Sequence, residues 1–126
     1  MIRATGTFDV KMTPQPAGES PAGRMLISKQ YHGDLEGSAT GEMLATMDQA
    51  KGSGVYVAIE KVTGVLKGKR GSFLLHHRGV MDRGKADLAV FVVPDSGTDE
   101  LAGLTGSMKI IIEGSKHSYE FEYALP

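Results

Sequence analysis

The chain of 126 residues has no cysteine and no tryptophan, and it has only four tyrosines and four phenylalanines. Without cysteine it forms no disulfide, no thiolate metal site and no cysteine nucleophile. Its net charge of -1 is too small to attract nucleic acid or an acidic membrane over a distance. It also lacks an apolar run long enough for a membrane helix, and its first ten residues do not resemble a signal peptide. We therefore expect a cytoplasmic protein with no nucleic-acid or membrane partner.

Glycine, by contrast, is abundant: the sequence has 17 glycines, five prolines and 40% apolar residues. Short segments in which apolar and polar residues alternate are separated by glycine-rich turns, a pattern typical of β-strands and hairpins. Eight such segments occur, at residues 2–12, 24–31, 35–47, 55–66, 72–80, 86–93, 104–113 and 116–125. Their short connections favour an all-β fold, an eight-stranded antiparallel barrel with little helix, as one domain over residues 1–126. A flattened sandwich is the second choice.

Two connections differ from simple turns. The segment Thr13–Gly23 contains three prolines and two glycines, so we expect a long loop that either covers the mouth of a cavity or merely joins two strands at the surface. Ser96 and Asp99 have the spacing of a capping box, which predicts a single helical turn between the last strands.

The central hairpin carries the clearest pattern. Its strands, 55–66 and 72–80, flank the basic, glycine-containing turn Lys67–Gly71. Alternation places Glu60 on one face with Tyr56, Ala58 and Val62, and it places His77 on one face with Phe73 and Leu75. Counting across the turn makes Glu60 and His77 roughly cross-strand neighbours. If that face lines the lumen, a buried carboxylate has a histidine partner.

Three interpretations of Glu60 and His77 follow. A carboxylate that orients or charges an imidazole is suited to general acid–base catalysis. The same pair in a structural role would hold the strand register. Alternatively, Glu60 faces solvent and pairs with Lys61 or Lys67.

The other candidate site residues are aromatic residues and histidines that we predict to contact a ligand: Tyr31, Tyr56, Phe73, His117, Tyr119, Phe121 and Tyr123. Aromatic rings in a small barrel either stack on a ligand or fill the core. A metal site from His77, His117 and a carboxylate has no supporting HxH or HxxxH spacing, so we predict no metal and no cofactor. The nearly continuous apolar strand 86–93 is expected to be buried on both faces, one of them against a covering segment or against another subunit in a homo-oligomer.

Three segments together resemble a known family: HGDLEGSATGEML (32–44), VAIEKVTGVLKGKRGSFLLHHRG (57–79) and VVPDSGTDELAGLTGSM (92–108). They resemble the bacterial domain-of-unknown-function family 3224, whose small proteins look like the allene oxide cyclase barrel. The resemblance implies an allene-oxide-cyclase-like barrel, similar to a lipocalin in outline, with an apolar cavity. It does not imply cyclase activity, because the catalytic residues of the plant enzyme have no matching positions here and the pocket cysteines are absent.

Three functions remain open at this point. The preferred one is a binding module that holds an apolar or amphipathic small molecule in the barrel lumen. The second is a cofactor-free isomerase or cyclase that uses Glu60 and His77. The third is a structural barrel whose lumen is filled by its own side chains and which acts through subunit contacts. The aromatic residues distinguish the first from the third.

Overall fold

The computed structural model describes residues 1–126, and it shows eight antiparallel strands in a closed barrel. The strands are β1 (Ile2–Pro14), β2 (Gly23–Gly33), β3 (Leu35–Asp48), β4 (Ser53–Leu66), β5 (Lys69–Asp82), β6 (Lys85–Val92), β7 (Thr105–Glu113) and β8 (Lys116–Ala124). Each strand pairs with the next along the chain, and β8 pairs with β1 to close the wall. The predicted eight-stranded antiparallel barrel with little helix is confirmed. No helical segment is long and apolar enough to cross a membrane.

The alternation seen in the sequence decides which side chains face the lumen. Odd-numbered residues of β8 and even-numbered residues of β1 point inward, so Tyr119, Phe121, Ala4 and Phe8 are buried. In the middle of β3 the inward residues Gly37, Ala39 and Gly41 are small, and Ala39 is buried. Small side chains on this face leave room inside the barrel.

The β4–β5 hairpin turns at two residues only, Lys67 and Gly68, which have φ angles of 45° and 84°. The predicted five-residue turn is therefore wrong, because residues 69–71 already belong to β5. This moves the centre of the turn, so Glu60 lies opposite Leu75 and His77 lies opposite Ala58. Glu60 and His77 are diagonal neighbours rather than direct partners, although both still point inward.

One end of the barrel is closed by the segment between β6 and β7. Leu101 and Leu104 from this segment are buried in the core. The segment runs beside β5 after β6 has ended, and hydroxyl groups replace strand partners: Ser72 N donates to Thr98 Oγ1 and Leu74 N donates to the hydroxyl of Ser96, both at 3.0 Å. We call this end, formed by residues near 2, 33, 66, 92, 105 and 124, the closed end.

The predicted helical turn is present in this segment as a 3₁₀ turn over Asp99–Leu101. Its N-cap residue is Thr98, and no side-chain hydrogen bond caps it. The predicted capping box is therefore wrong. Ser96 instead donates to Val93 O at 2.7 Å while it accepts from β5, so its hydroxyl stabilises the barrel wall.

The opposite end, which we call the open end, includes the turns near residues 50, 84 and 114. Here large apolar side chains at inward positions stay exposed: Met12 by 44%, Met47 by 45%, Leu88 by 52% and Ile112 by 61%. Four such residues at one end show that little covers the lumen there. The barrel is therefore closed at one end and uncovered at the other.

The wall is weakest between β6 and β7, which share a single paired position, Phe91 with Ser107. Towards the open end the two strands have no ladder between them. The expectation that strand 86–93 is buried on both faces is wrong for the single chain, because Leu88 and Phe91 are exposed. Leu88 points into the uncovered end of the lumen, and Phe91 points to the outer surface of the barrel, so neither side chain is covered.

Candidate functional site

Four inward side chains meet halfway along the barrel, and we call them the central cluster: Lys29 and Tyr31 of β2, Glu60 of β4 and His77 of β5. Lys29 Nζ donates to Glu60 Oε1 at 2.9 Å, and the hydroxyl of Tyr31 donates to Glu60 Oε2 at 3.1 Å. His77 Nε2 lies 2.5 Å from Glu60 Oε1. Glu60 is thus the hub of the cluster, with three donors on its two oxygens.

The side chain of Lys29 reaches Glu60 across a whole strand, since β3 lies between β2 and β4. The β3 residues beneath it are Ala39, opposite Lys29, and Gly41, opposite Glu60. A Cβ atom on Gly41 would overlap the backbone of β4 and the Glu60 side chain. The small inner residues of β3 therefore give Lys29 and Glu60 the space to meet.

Glu60 is ionised in this environment. Burial alone would raise the pKa of its carboxyl group, but hydrogen bonds from His77 and Lys29 and the positive charge of Lys29 outweigh burial and lower the pKa below its ordinary value. An ionised carboxylate can only accept, so His77 carries a proton on Nε2. Nδ1 is then the ring nitrogen of His77 that has no partner within the cluster.

The remaining contacts of the cluster are aromatic. Lys29 Nζ lies 4.9 Å from the ring centroid of Phe8 and 5.7 Å from that of Tyr31. Burial, together with the neighbouring charge of Glu60, raises the pKa of Tyr31, so its phenol stays neutral and donates to the carboxylate.

Sequence reasoning placed Glu60 and His77 on the inner face but missed Lys29. The signal was present in the alternation of β2, where Ile27, Lys29 and Tyr31 share one parity and Ile27 and Tyr31 are buried. A lysine at an inward position of a barrel strand indicates a buried anion nearby.

The aromatic candidates divide between the two halves of the barrel. Five of them are buried in its core: Tyr31, Phe73, Tyr119, Phe121 and Tyr123. The rings of Phe73 and Phe121 are stacked at 5.8 Å, and the Tyr119 hydroxyl accepts from Leu35 N at 2.9 Å. These rings pack against one another around the central cluster and between it and the closed end. Their role in ligand contact stays a prediction.

The other two candidates lie nearer the open end and are only half-buried. The ring of Tyr56 lies over Gly79 on the neighbouring strand, where any Cβ atom would overlap it. The ring of His117 packs against Phe8 at 5.3 Å. No three His, Asp or Glu side chains are placed to hold a metal ion together.

The wall between the central cluster and the open end is rich in methionine. Inward positions of four strands carry Met12, Met25, Met43, Met47 and Met81, which are five of the seven methionines in the chain. All five are at least partly exposed. Flexible, polarizable methionine side chains adapt to ligands of different shape. The lumen between the central cluster and the open end is therefore lined by adaptable apolar side chains, and the charged central cluster lies at its inner end.

A cavity of about 690 Å³ lies at the rim of the open end, bordered by the proline-rich loop between β1 and β2. Its lining includes Pro16 and Pro21 of the loop together with Met25 and Ala45, which are inward positions of β2 and β3. The loop was expected either to cover the mouth of a cavity or to join two strands at the surface. In the structure it borders a cavity beside the opening.

A second cavity, of about 620 Å³, is lined mostly by residues of the outer surface of the barrel, together with Ala58 and His77. Leu44, Val57 and Ile59 line it, and all three are exposed. Arg24, Arg78 and Glu42 surround them with charges of both signs. Whether copies of the chain associate through this face stays a prediction.

The fold and the site together define a small, eight-stranded meander barrel with a buried Lys–Glu–His cluster inside it. The family model described as "Protein of unknown function (DUF3224)" matches residues 4–123, and the chain belongs to this family. A crystal structure of a protein with unknown function from the same family, from Shewanella oneidensis MR-1, is 47% identical. It aligns with a TM-score of 0.92 over 100% of this chain and 98% of that chain. No curated protein matches the sequence.

These findings confirm the resemblance to the bacterial domain-of-unknown-function family. They also agree with the barrel assigned above from strand pairing. The likeness to the allene oxide cyclase fold stays a prediction.

Proposed function

We propose that the protein is a binding module that holds an apolar or amphipathic small molecule in the open half of its lumen. One observation carries the proposal: large apolar side chains at inward positions, such as Leu88 and Ile112, remain more than half exposed above a buried ionic cluster. Exposing apolar surface inside a barrel is costly unless a ligand covers it. The proposal keeps the cytoplasmic location expected from the sequence, and cell fractionation tests that part.

Two neighbouring residues of β3 provide a matched test. Ala45 occupies an inward position at the rim, whereas Thr46 is exposed on the outer surface. Phenylalanine at position 45 narrows the opening, and phenylalanine at position 46 adds the same apolar group outside the barrel. The probe is 1-anilinonaphthalene-8-sulfonate, whose fluorescence rises in an apolar site.

We expect saturable probe binding to the native protein, a loss of at least about tenfold in affinity for Ala45→Phe, and unchanged affinity for Thr46→Phe. Equal affinities for both variants would place the probe outside the lumen and overturn the proposal. Absence of saturable binding to the native protein would do the same, and it would favour the structural barrel with a filled lumen.

A second candidate function, a cofactor-free isomerase or cyclase, is favoured by the contact between His77 and Glu60. The carboxylate orients the imidazole through Nε2, and Nδ1 is then available to take or give a proton. Because Glu60 is held in its ionised form, His77 is the acid–base group in this scheme and Glu60 is a positioning residue. Isomerisation of an epoxide or ketone probe that His77→Gln abolishes, and that Thr46→Phe leaves intact, would establish this activity; turnover that survives His77→Gln would contradict it.

A further inference from the structure

We infer that the ligand of the lumen is a medium-chain amphiphile whose carboxylate head group docks on Lys29 and His77. This inference rests on the proposed function and names the chemical class that the site selects. It follows from three properties of the open half: which atoms of the central cluster remain accessible, what charge they carry, and how deep the apolar wall above them is.

The accessible part of the central cluster belongs to its two nitrogen-bearing side chains. The side chain of Glu60 is fully buried, whereas those of Lys29 and His77 keep 7% and 6% of their surface exposed. Both oxygens of Glu60 already accept hydrogen bonds from within the cluster. A polar group that enters the lumen therefore meets nitrogen atoms and not the carboxylate.

Two nitrogen atoms of the cluster are not fully used. Lys29 Nζ has three N–H groups, of which one donates to Glu60 at 2.9 Å and another points to the Tyr31 hydroxyl at a marginal 3.5 Å. His77 uses only Nε2. No fully buried side-chain nitrogen or oxygen lacks a partner, so Nδ1 of His77, which has none, keeps some exposed surface. A carboxylic acid can therefore donate its proton to Nδ1 and accept a hydrogen bond from Lys29 Nζ.

The charge balance of the cluster favours a carboxylic acid. The charged and titratable groups that face one another here are Lys29, Glu60, His77 and Tyr31, and Tyr31 is neutral. The charges of Lys29 and Glu60 cancel. A carboxylic acid that gives its proton to His77 Nδ1 becomes a carboxylate between two charged donors and adds no net charge to the cluster, whereas an alcohol does not form such an ion pair. The inferred head group is therefore a carboxylate.

The depth of the open half sets the length of the tail. The shortest wall runs along β5 from His77 to its last residue, Asp82. Five residues at about 3.3 Å each, on a strand tilted by about 40°, give a depth of roughly 13 Å. This depth suits an extended medium-chain tail against the methionine-rich wall.

The test compares decanoate with 1-decanol, which have the same chain length but differ in the head group, by calorimetric titration of the native protein. A double variant, Lys29→Met with Glu60→Gln, removes both charges of the buried pair together, so that neither is left unpaired, and we expect this variant to fold. Lys61→Met, on the outer surface of β4, removes one positive charge elsewhere and serves as the control.

We expect decanoate to bind the native protein and Lys61→Met at least about tenfold more tightly than 1-decanol, and we expect the double variant to lose this preference. If both compounds bind the native protein equally, the head-group inference is overturned while the proposed lumen binding stands. A preference that persists in the double variant also overturns the inference. If neither compound binds, the head-group inference and lumen binding of this kind both fail.

Discussion

His77 reaches Glu60 diagonally across the β4–β5 ladder: the backbone places His77 opposite Ala58 and Glu60 opposite Leu75, yet Nε2 and Oε1 are 2.5 Å apart. Lys29 reaches the same oxygen from the other side, over β3. A single carboxylate therefore links three strands of the barrel. The consequences of this link can be measured even before a ligand is known.

Lys29→Met should be strongly destabilising, because it leaves the buried carboxylate of Glu60 without its cation. We expect a loss of about 3 kcal/mol or more in the free energy of unfolding, measured with urea. Adding Glu60→Gln should recover most of this loss. Lys61→Met, which changes an exposed lysine, should alter stability by less than about 0.5 kcal/mol. An equal effect of the two lysine substitutions would show that the buried ion pair is not formed.

Stability should fall on acidification in a way that depends on Glu60. Its folded-state pKa is lowered from the ordinary value of 4.5, so the unfolded chain binds a proton on this residue more readily than the folded one. The stabilisation from ionised Glu60 is therefore complete above about pH 4.5 and is lost as the pH falls through the folded-state pKa. Urea unfolding at several pH values should show a steeper acid loss for the native protein than for Lys29→Met/Glu60→Gln. Glu42→Gln, at an exposed position, should keep the native slope; a steep slope that persists in the double variant would contradict this assignment.

We expect the stability of the barrel to depend on glycine at position 79, because the Tyr56 ring occupies the space that a side chain there would fill. We expect Gly79→Ala to cost about 1–3 kcal/mol through overpacking. Combining it with Tyr56→Ala should cost less than the sum of the two single substitutions, since the ring that causes the overlap is gone. Gly18→Ala, where a Cβ atom meets nothing within 4 Å, is the matched control. Simple additivity of the Gly79 and Tyr56 changes would argue against the contact.

Lys67 has a φ angle of 45°, a left-handed conformation that asparagine and glycine adopt more readily than lysine. We therefore expect Lys67→Asn to stabilise the hairpin by about 0.5 kcal/mol. Lys69→Asn, two residues later in β5, should give no gain because that residue is already in a strand. Thermal unfolding of the two variants distinguishes these positions, and a gain for both would mean that charge and not backbone conformation is responsible.

The gap between β6 and β7 should be the first part of the wall to open. Hydrogen exchange followed by NMR should show fast exchange for amides of β6 that do not pair with β5, since Phe91 and Ser107 form the only pair between β6 and β7. Amides of the β4–β5 hairpin, which is paired along its whole length, provide the internal reference. Uniform protection around the barrel would contradict a weak β6–β7 wall.

The central hairpin shows most clearly which features of the site can be predicted from the sequence. The inward orientation of Glu60 and His77 follows from the period of two along each strand, which any residue of a strand obeys whatever its neighbours are. Their relative position along the two strands was harder to predict from the sequence, because it depends on where the chain turns. A turn centred on Lys67 and Gly68, instead of on the middle of the basic run, shifts the whole ladder by two positions.

The contact of Lys29 with Glu60 was beyond local reasoning. The two residues are 31 positions apart and lie on strands that do not pair with each other. Their contact requires the curvature of the closed barrel and the absence of side chains beyond Cβ on Ala39 and Gly41. Likewise, nothing in a local pattern shows which end of the barrel Leu101 and Leu104 close.

The sequence by itself determined the strands, their inner and outer faces and the class of barrel, because these depend on backbone alternation and turn residues that act over a few positions. Only the tertiary structure decided the register of the hairpin, the crossing of Lys29 over β3 and the difference between the closed and open ends. Those properties depend on the pairing of all eight strands at once. Turn positions and strand pairings all around the barrel together set the distances between residues that are far apart in the chain.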